Sequence, residues 1–207
     1  MSRRLVLSIA FSVFFCLSHG LISVGWAADP GDEYWSTDYY HAGVSGNLNT
    51  MFSQPEGVYV GGNFSSITGV SVLNVARLTI SGGMIEDIIP LGNGLDHMVK
   101  DICQHNGSII AGGSFDKSGE TTLNRVAQWD GSAWQPLGSG LPGVWVSSVA
   151  SYNGNVFANN YRFNGSDWSS FFETDGHITA MIVHDGLLYV GGQFTQVQGQ
   201  PHNNVFA

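Results

Sequence analysis

Short apolar runs broken by Gly, Asn, Asp and Ser recur along the chain, and the runs themselves repeat. Val58-Tyr59-Val60-Gly61-Gly62-Asn63-Phe64 returns as Ile109-Ile110-Ala111-Gly112-Gly113-Ser114-Phe115 and again, shortened by a residue, as Tyr189-Val190-Gly191-Gly192-Gln193-Phe194. A β-type run that ends in Gly-Gly-x-Phe in three copies marks a repeat protein. Each copy follows another apolar run: Leu48 to Phe52, Val99 to Gln104 and Ile178 to Ile182, with Val146 to Ser151 as a fourth. Asn106-Gly107, Asn153-Gly154 and Asp185-Gly186 separate the two runs. These pairs favour type I′ hairpin turns, in which both central residues take φ > 0.

A longer connection rich in Ser, Thr, Gly and Gln follows each Phe. A third strand is expected at Asn74 to Leu78 and Asn124 to Trp129, then a turn at Asp130-Gly131-Ser132 and a fourth strand at Trp134 to Leu137. Asn164-Gly165-Ser166-Asp167-Trp168 repeats that turn. Gly92-Asn93-Gly94-Leu95 and Gly138-Ser139-Gly140-Leu141 lead to the next unit. Asn159-Asn160 replaces Gly-Gly in the third unit and runs almost directly into Tyr161-Arg162-Phe163, so the connection between strands two and three is nearly deleted there.

A unit of four antiparallel strands recurring at roughly 40–50 residues has the size of a propeller blade. A β-sandwich gives no reason for Gly-Gly, Asp-Gly and Trp to return in fixed order. The fold class expected is therefore all-β: a β-propeller built of four-stranded antiparallel blades. It is expected to be incomplete in this chain, because the closing Asn204-Val205-Phe206-Ala207 matches Asn124-Arg125-Val126-Ala127 and stops inside a strand. The domain reading is a signal peptide over 1–27, a lead-in segment over 28–45 and about four part-blades over 46–207. Asp29 to Tyr40, with Tyr34, Trp35, Tyr39 and Tyr40, matches the repeats poorly and reads as a lead-in or an outer strand donated to a blade.

The combined pattern of Tyr-Val-Gly-Gly-x-Phe, Asn-x-Val-Ala-x-Trp-Asp-Gly-Ser-x-Trp and Pro-Leu-Gly-x-Gly-Leu resembles the tandem repeats of large secreted bacterial proteins. Those repeats are Kelch-like, or like the central domain of galactose oxidase. The pattern is also similar to the repeats of fungal cortical polarity-marker proteins. The resemblance covers about Gly46 to Ala207, with Gly112 to Gly154 the best copy, and it implies a propeller rather than a particular activity. Leu78-Thr79 departs from it where Trp-Asp is expected. Members that oxidise galactose use copper with a Tyr–Cys crosslink and His ligands. No Tyr and His set stands ready to join Cys103, so that activity is not carried over.

Composition sharpens this picture. Ser2-Arg3-Arg4, the apolar Leu5 to Leu17 and the small residues around Ala27 form a secretory signal pattern, with cleavage expected after Ala27. The whole chain carries a net charge of −9; losing the two leader arginines leaves five basic residues against sixteen acidic ones, a net −11. Such a surface repels phosphate backbones and argues against a nucleic-acid partner. After cleavage no remaining run is long enough to span a membrane, and Cys103 is left as a single thiol that reads as a small buried core residue.

No catalytic, metal or cofactor site is expected. The histidines form no His-x3-His pair, no Gly-x-Ser-x-Gly elbow occurs, and Asp130-Gly131-Ser132 lacks the ligand count of a calcium loop. Binding is expected instead on the face that carries the long two-to-three and four-to-one loops, because variable loops on a rigid scaffold carry function. That face spans Ser65 to Val72, Leu95 to His97, Asp116 to Thr122, Leu141 to Trp145 and Thr195 to Pro201. The candidate ligand-face residues are Phe64, His97, Phe115, Asp116, Lys117, Trp145, Phe194 and Gln196. The expected function is a secreted, non-catalytic binding or surface-interaction module for a protein or glycan partner. A carbohydrate-active or oxidase-like enzyme and a structural spacer stand as alternatives.

Overall fold

The computed structural model describes residues 43–207; the expected leader over 1–27 and nearly all of the lead-in over 28–45 lie outside the described residues. The apolar runs become strands throughout, and four units follow one another. The first contains β1 (Asn47–Gln54), β2 (Gly57–Asn63), a small hairpin of β3 (Ser66–Ile67) and β4 (Val70–Ser71), then β5 (Val75–Ser81) and β6 (Met84–Pro90). The second contains β7 (Val99–His105), β8 (Ser108–Gly113), the hairpin β9 (Lys117–Ser118) and β10 (Thr121–Thr122), β11 (Val126–Trp129) and β12 (Trp134–Pro136). The third contains β13 (Val149–Tyr152), β14 (Asn155–Ala158), β15 (Tyr161–Phe163) and β16 (Trp168–Ser170). The fourth contains β17 (His177–His184), β18 (Leu187–Gln193), the hairpin β19 (Gln196–Val197) and β20 (Gln200–Pro201), and β21 (Val205–Phe206).

Each unit is an antiparallel meander, β1-β2-β5-β6, β7-β8-β11-β12 and β13-β14-β15-β16, with β17-β18-β21 in the fourth. The turns expected to be type I′ have the backbone that type requires: φ is 48° and 83° at Asn106-Gly107, 47° and 72° at Asn153-Gly154, and 49° and 75° at Asp185-Gly186. The three-to-four turns work differently. Asp130 Oδ1 accepts the N–H groups of Ser132 and Ala133, both at 2.8 Å, and Asn164 Oδ1 accepts those of Ser166 and Asp167. The side chain closes the turn on its own backbone.

The Gly-Gly pairs serve close approach rather than left-handed backbone. None of the six glycines takes a positive φ. The second of each pair lies opposite a bulge in the first strand, where the pairing slips at Leu48/Thr50, Val99/Asp101 and Ile178/Ala180. A Cβ there would stand 2.0–2.1 Å from a carbonyl oxygen of Asn47, Met98 or His177. The first of each pair admits the next unit: a Cβ on Gly61 would meet Val99 Cγ1 at 2.5 Å, and one on Gly112 would meet Val146 and Val149 at 2.6 Å. Asn159 is the exception, with φ of 51°.

One apolar cluster, with Val60, Phe64, Ile67, Ala76 and Leu78, belongs to the first unit alone, and others lie between units. One joins Tyr59, Val75 and Leu91 of the first to Val99, Ile109, Phe115 and Trp134 of the second; another joins Ile110, Val126 and Leu137 to Val146, Val156 and Phe163. Tryptophan latches the same joints. Trp134 Nε1 donates to Leu91 O in the preceding unit at 3.1 Å, and Trp168 Nε1 donates to Leu137 O at 2.7 Å. The repeat tryptophans Trp134 and Trp168 thus pack between blades.

Strand three needs a one-residue correction. Gly61 pairs with Val75, Gly112 with Val126 and Gly191 with Val205. Arg125, at φ 74°, therefore stands where Asn74 and Asn204 stand, and Val205 matches Val126 rather than Arg125. Aligning the units on asparagine hid the shift: the three hairpins have equal lengths, and Asn124 stands at the position of Leu73, one residue before that of Asn74.

Candidate functional site

The long connections that launch from each Phe are hairpin arms folded back on the blade, so the Phe side chains point inward. Phe64, Phe115 and Phe194 are each no more than 3% exposed. Phe64 packs with Ile67 and Val72 beneath its arm, and Phe115 packs with Leu95 and Leu123. This corrects the placement of all three on a ligand face: burying an aromatic ring is what anchors the arm. His97, Lys117 and Gln196 are exposed and Asp116 is half-buried. Asp116 pairs with Arg125 at 3.2 Å, and Arg125 also donates to Ser114 O. His97, Asp116 and Lys117 share the rim of the second unit, whereas Gln196 belongs to the arm of the fourth.

Each arm is clamped by one side chain from the loop that enters its own unit. Ser45 Oγ accepts the N–H groups of Ser65 and Ser66 at 2.9 and 2.8 Å. Asp96 Oδ1 accepts those of Asp116 and Lys117 at 2.8 and 3.0 Å, and Asp175 Oδ1 accepts those of Thr195 and Gln196 at 2.8 Å. Partial burial of Asp96 opposes its ionisation, but the Lys117 and Asp116 donors and the neighbouring His97 outweigh it and hold the carboxyl below the usual range. The Thr195 hydroxyl, with the Gln196 and Thr195 N–H groups, lowers Asp175 as well.

Both carboxyls are thus depressed on folding. The clamps contribute stability above the unfolded value of 3.8 and lose it as pH falls through the folded values below that. In an acid titration followed by amide NMR, the Lys117 and Gln196 resonances are expected to shift with midpoints under 3.8. Ser65 and Ser66, clamped by a hydroxyl, stay flat. Equal shifts at all three arms would sink this assignment.

The third unit has no arm. Asn159-Asn160 forms a two-residue turn from β14 to β15, and Asn159 takes over the clamp. Its Oδ1 accepts the N–H of Ser147 at 2.9 Å, and its Nδ2 donates to Trp145 O at 2.7 Å. Where the arms of other units cover the rim, a cleft of about 650 Å³ opens here. It is lined by Val144, Trp145, Ser147, Asn159, Asn160, Tyr161, Thr174, Gly176, His177, Ile178 and Thr179. Trp145 is 70% exposed at its edge. Trp145, a sequence candidate, therefore lies at a cavity. The amides, hydroxyls and imidazole that join it were not expected.

A second cavity, about 440 Å³, runs between the first strands of the units and includes Phe52, Asp101, Cys103, Ser151, Met181 and Ile182. A hydrogen-bonded belt crosses it. Thr50 Oγ1 donates to Asp101 Oδ1, Ser148 Oγ and Val149 N–H donate to Asp101 Oδ2 at 2.7 and 2.9 Å, and Met181 N–H donates to Ser148 Oγ at 2.9 Å. Asp101 also accepts the N–H of Ile102. Thr50, Asp101 and Ser148 hold the same repeat position, one after the bulge, a polar recurrence visible in the sequence but unused there. Burial, with Asp101 nearby, pushes the half-buried Cys103 thiol far up and disfavours the thiolate. Among the described residues no group of three His, Cys, Asp or Glu side chains is placed to hold a metal ion, and no helix is long and apolar enough to cross a membrane.

Comparison with known proteins agrees with the blade geometry. Residues 54–82, from the first turn through β2, its arm and β5, match the family model described as Domain of unknown function (DUF5122) beta-propeller. The chain is also 30% identical over 115 residues to Polarized growth protein L1 of a Phoma species. That match covers 54% of this chain and 8% of the relative, so the chain spans less than a tenth of the curated relative it matches. The recurring four-stranded units and the propeller family match together identify the chain as a β-propeller repeat protein.

Proposed function

We propose that this propeller is a secreted, non-catalytic binding module of Kelch-like type, and that its ligand sits in the cleft of the armless third blade. The carrying observation is Trp145. A large aromatic ring 70% exposed beside a concave, polar-lined cleft is not explained by the core, which takes the repeat tryptophan Trp134 inward. The ring supplies an apolar face, and Asn160, His177 and Thr179 supply donors and acceptors around it. That combination suits a glycan or a polar loop of a partner protein. The leader pattern over 1–27 supports export, and the acidic surface supports a partner other than nucleic acid. The belt supports a structural duty for Asp101, whose carboxylate oxygens are already engaged, over the enzyme alternative.

The test uses chain recovered from the medium of an expressing host, with Ala28 expected as its first residue. On a glycan array, or with a candidate protein partner, Trp145→Ala is expected to weaken binding about tenfold or more while leaving the thermal midpoint unchanged. Equal binding by the variant would remove the cleft from the proposal. The absence of any ligand across diverse glycans and proteins would favour the spacer.

A further inference from the structure

The cleft of the third blade is free of formal charge. None of its lining residues is Asp, Glu, Lys or Arg, although the chain carries sixteen acidic residues and seven basic ones. Asp175 stands between two lining residues, Thr174 and Gly176, but its Oδ1 accepts the Thr195 and Gln196 N–H groups at 2.8 Å on the arm of the fourth blade. A phosphate, sulfate or carboxylate bound here would lack a cation to pair with, and an ammonium would lack a carboxylate. The lining therefore selects a neutral occupant.

Its polar groups suit hydroxyls. Asn159 is committed to the fold, with Oδ1 on the Ser147 N–H and Nδ2 on Trp145 O. Asn160 donates from Nδ2 to Phe172 O at 3.3 Å, which leaves its Oδ1 as an acceptor. The Ser147 and Tyr161 hydroxyls and the His177 imidazole can each donate and accept, as a sugar hydroxyl does. Trp145 supplies the apolar half. The face of its ring is the negative side of the aromatic quadrupole, and a pyranose offers it a layer of C–H groups with hydroxyls around the rim. The backbone under the ring is already fixed: Trp145 O accepts Asn159 Nδ2 at 2.7 Å, and the Val146 N–H donates to Gly113 O at 3.1 Å. Little freedom of that segment is left to lose on binding. The cleft volume of about 650 Å³ falls within the roughly 300–1,000 Å³ of small-ligand sites, whereas a stable protein partner covers roughly 800 Å² of surface. Taking this cleft as the ligand site, we propose that its occupant is an uncharged saccharide, with one sugar ring stacked on Trp145 and its hydroxyls bonded to Asn160, Tyr161 and His177.

Isothermal titration of the secreted chain with neutral tetrasaccharides tests this: maltotetraose, cellotetraose, mannotetraose, galactotetraose and the N-acetylglucosamine tetramer. Tetragalacturonate and the deacetylated glucosamine tetramer are the charged comparisons. At least one neutral tetramer is expected to bind, and both charged ones at least tenfold more weakly. Trp145→Ala is expected to weaken the neutral tetramer at least tenfold at an unchanged thermal midpoint, and Trp145→Phe, which keeps an aromatic face, by only about threefold. Raising salt from about 0.05 to about 0.5 M leaves the affinity unchanged, because there is no ion pair to screen. Failure of every neutral tetramer to bind, or equal binding of a charged one, overturns the saccharide assignment. If a protein partner then binds in a Trp145-dependent way, the cleft stands and only its occupant was wrong. A neutral tetramer that binds Trp145→Ala as tightly as the parent chain overturns the cleft and the occupant together.

Discussion

Trp134→Ala is expected to destabilise the propeller by about 3–5 kcal/mol, the range for emptying a large aromatic from a packed core. The side chain is 1% exposed and fills the joint between the first two blades with Tyr59, Leu91, Leu95 and Ile109. Its ring lies 5.5 Å from that of Trp129, a tilted pair that adds its own attraction. Truncation removes the apolar burial, leaves a void that neighbouring strands cannot collapse into, and strips Leu91 O of the indole donor at 3.1 Å. Trp134→Phe separates these effects. It keeps most of the volume and loses the N–H, while Leu91 O still accepts the Gly94 N–H at 3.1 Å, so its expected cost is about 0.5–1.5 kcal/mol, that of one hydrogen bond lost. Urea denaturation gives both numbers from the shift in midpoint at constant slope. A loss under about 1 kcal/mol for the alanine variant would mean that the joints do not carry the stability of the array.

How much of this was legible in the sequence follows from what each residue does locally. Asn106-Gly107 and Asp185-Gly186 specify their turns by backbone chemistry alone, and Trp134 and Trp168 mark their joints by recurring at fixed spacing. The position of a binding site was harder to see. Phe64, Phe115 and Phe194 follow flexible-looking segments, and nothing local says that those segments fold back as hairpins and pull the rings inward. The clamps carried a usable signal, since Ser45, Asp96 and Asp175 each stand three residues before the first apolar residue of strand one. Their meaning depends on an arm reached only through tertiary structure. The cleft is the extreme case. It exists because an arm is missing, and an absence shows in a repeat alignment only as a short gap after Asn159-Asn160. Trp145 could be named from its loop, whereas Asn160, His177 and Thr179 come from other segments and meet it only in space.

The glycine pairs give the second large effect, and here the same substitution is expected to act with opposite sign at two copies of one motif. A Cβ on Gly113 would lie 2.1 Å from Met98 O and 3.1 Å from the Phe115 ring. Met98 O already accepts the Ser114 N–H at 2.9 Å, so the backbone cannot yield without losing that bond and the bulge beside it. Gly113→Ala is therefore expected to cost about 3 kcal/mol, the upper end for overpacking a rigid site. Gly191 shows the contrary case. Its φ is not positive, and the nearest atoms to an added Cβ are 3.7 and 4.0 Å away. Gly191→Ala then adds no clash and removes freedom from the unfolded chain, an expected gain of about 0.4–1 kcal/mol. Paired thermal melts at low protein concentration read both signs directly. If both variants lose stability equally, glycine is kept at these positions for backbone conformation, and the close approach of a neighbouring strand or blade is not what the motif serves.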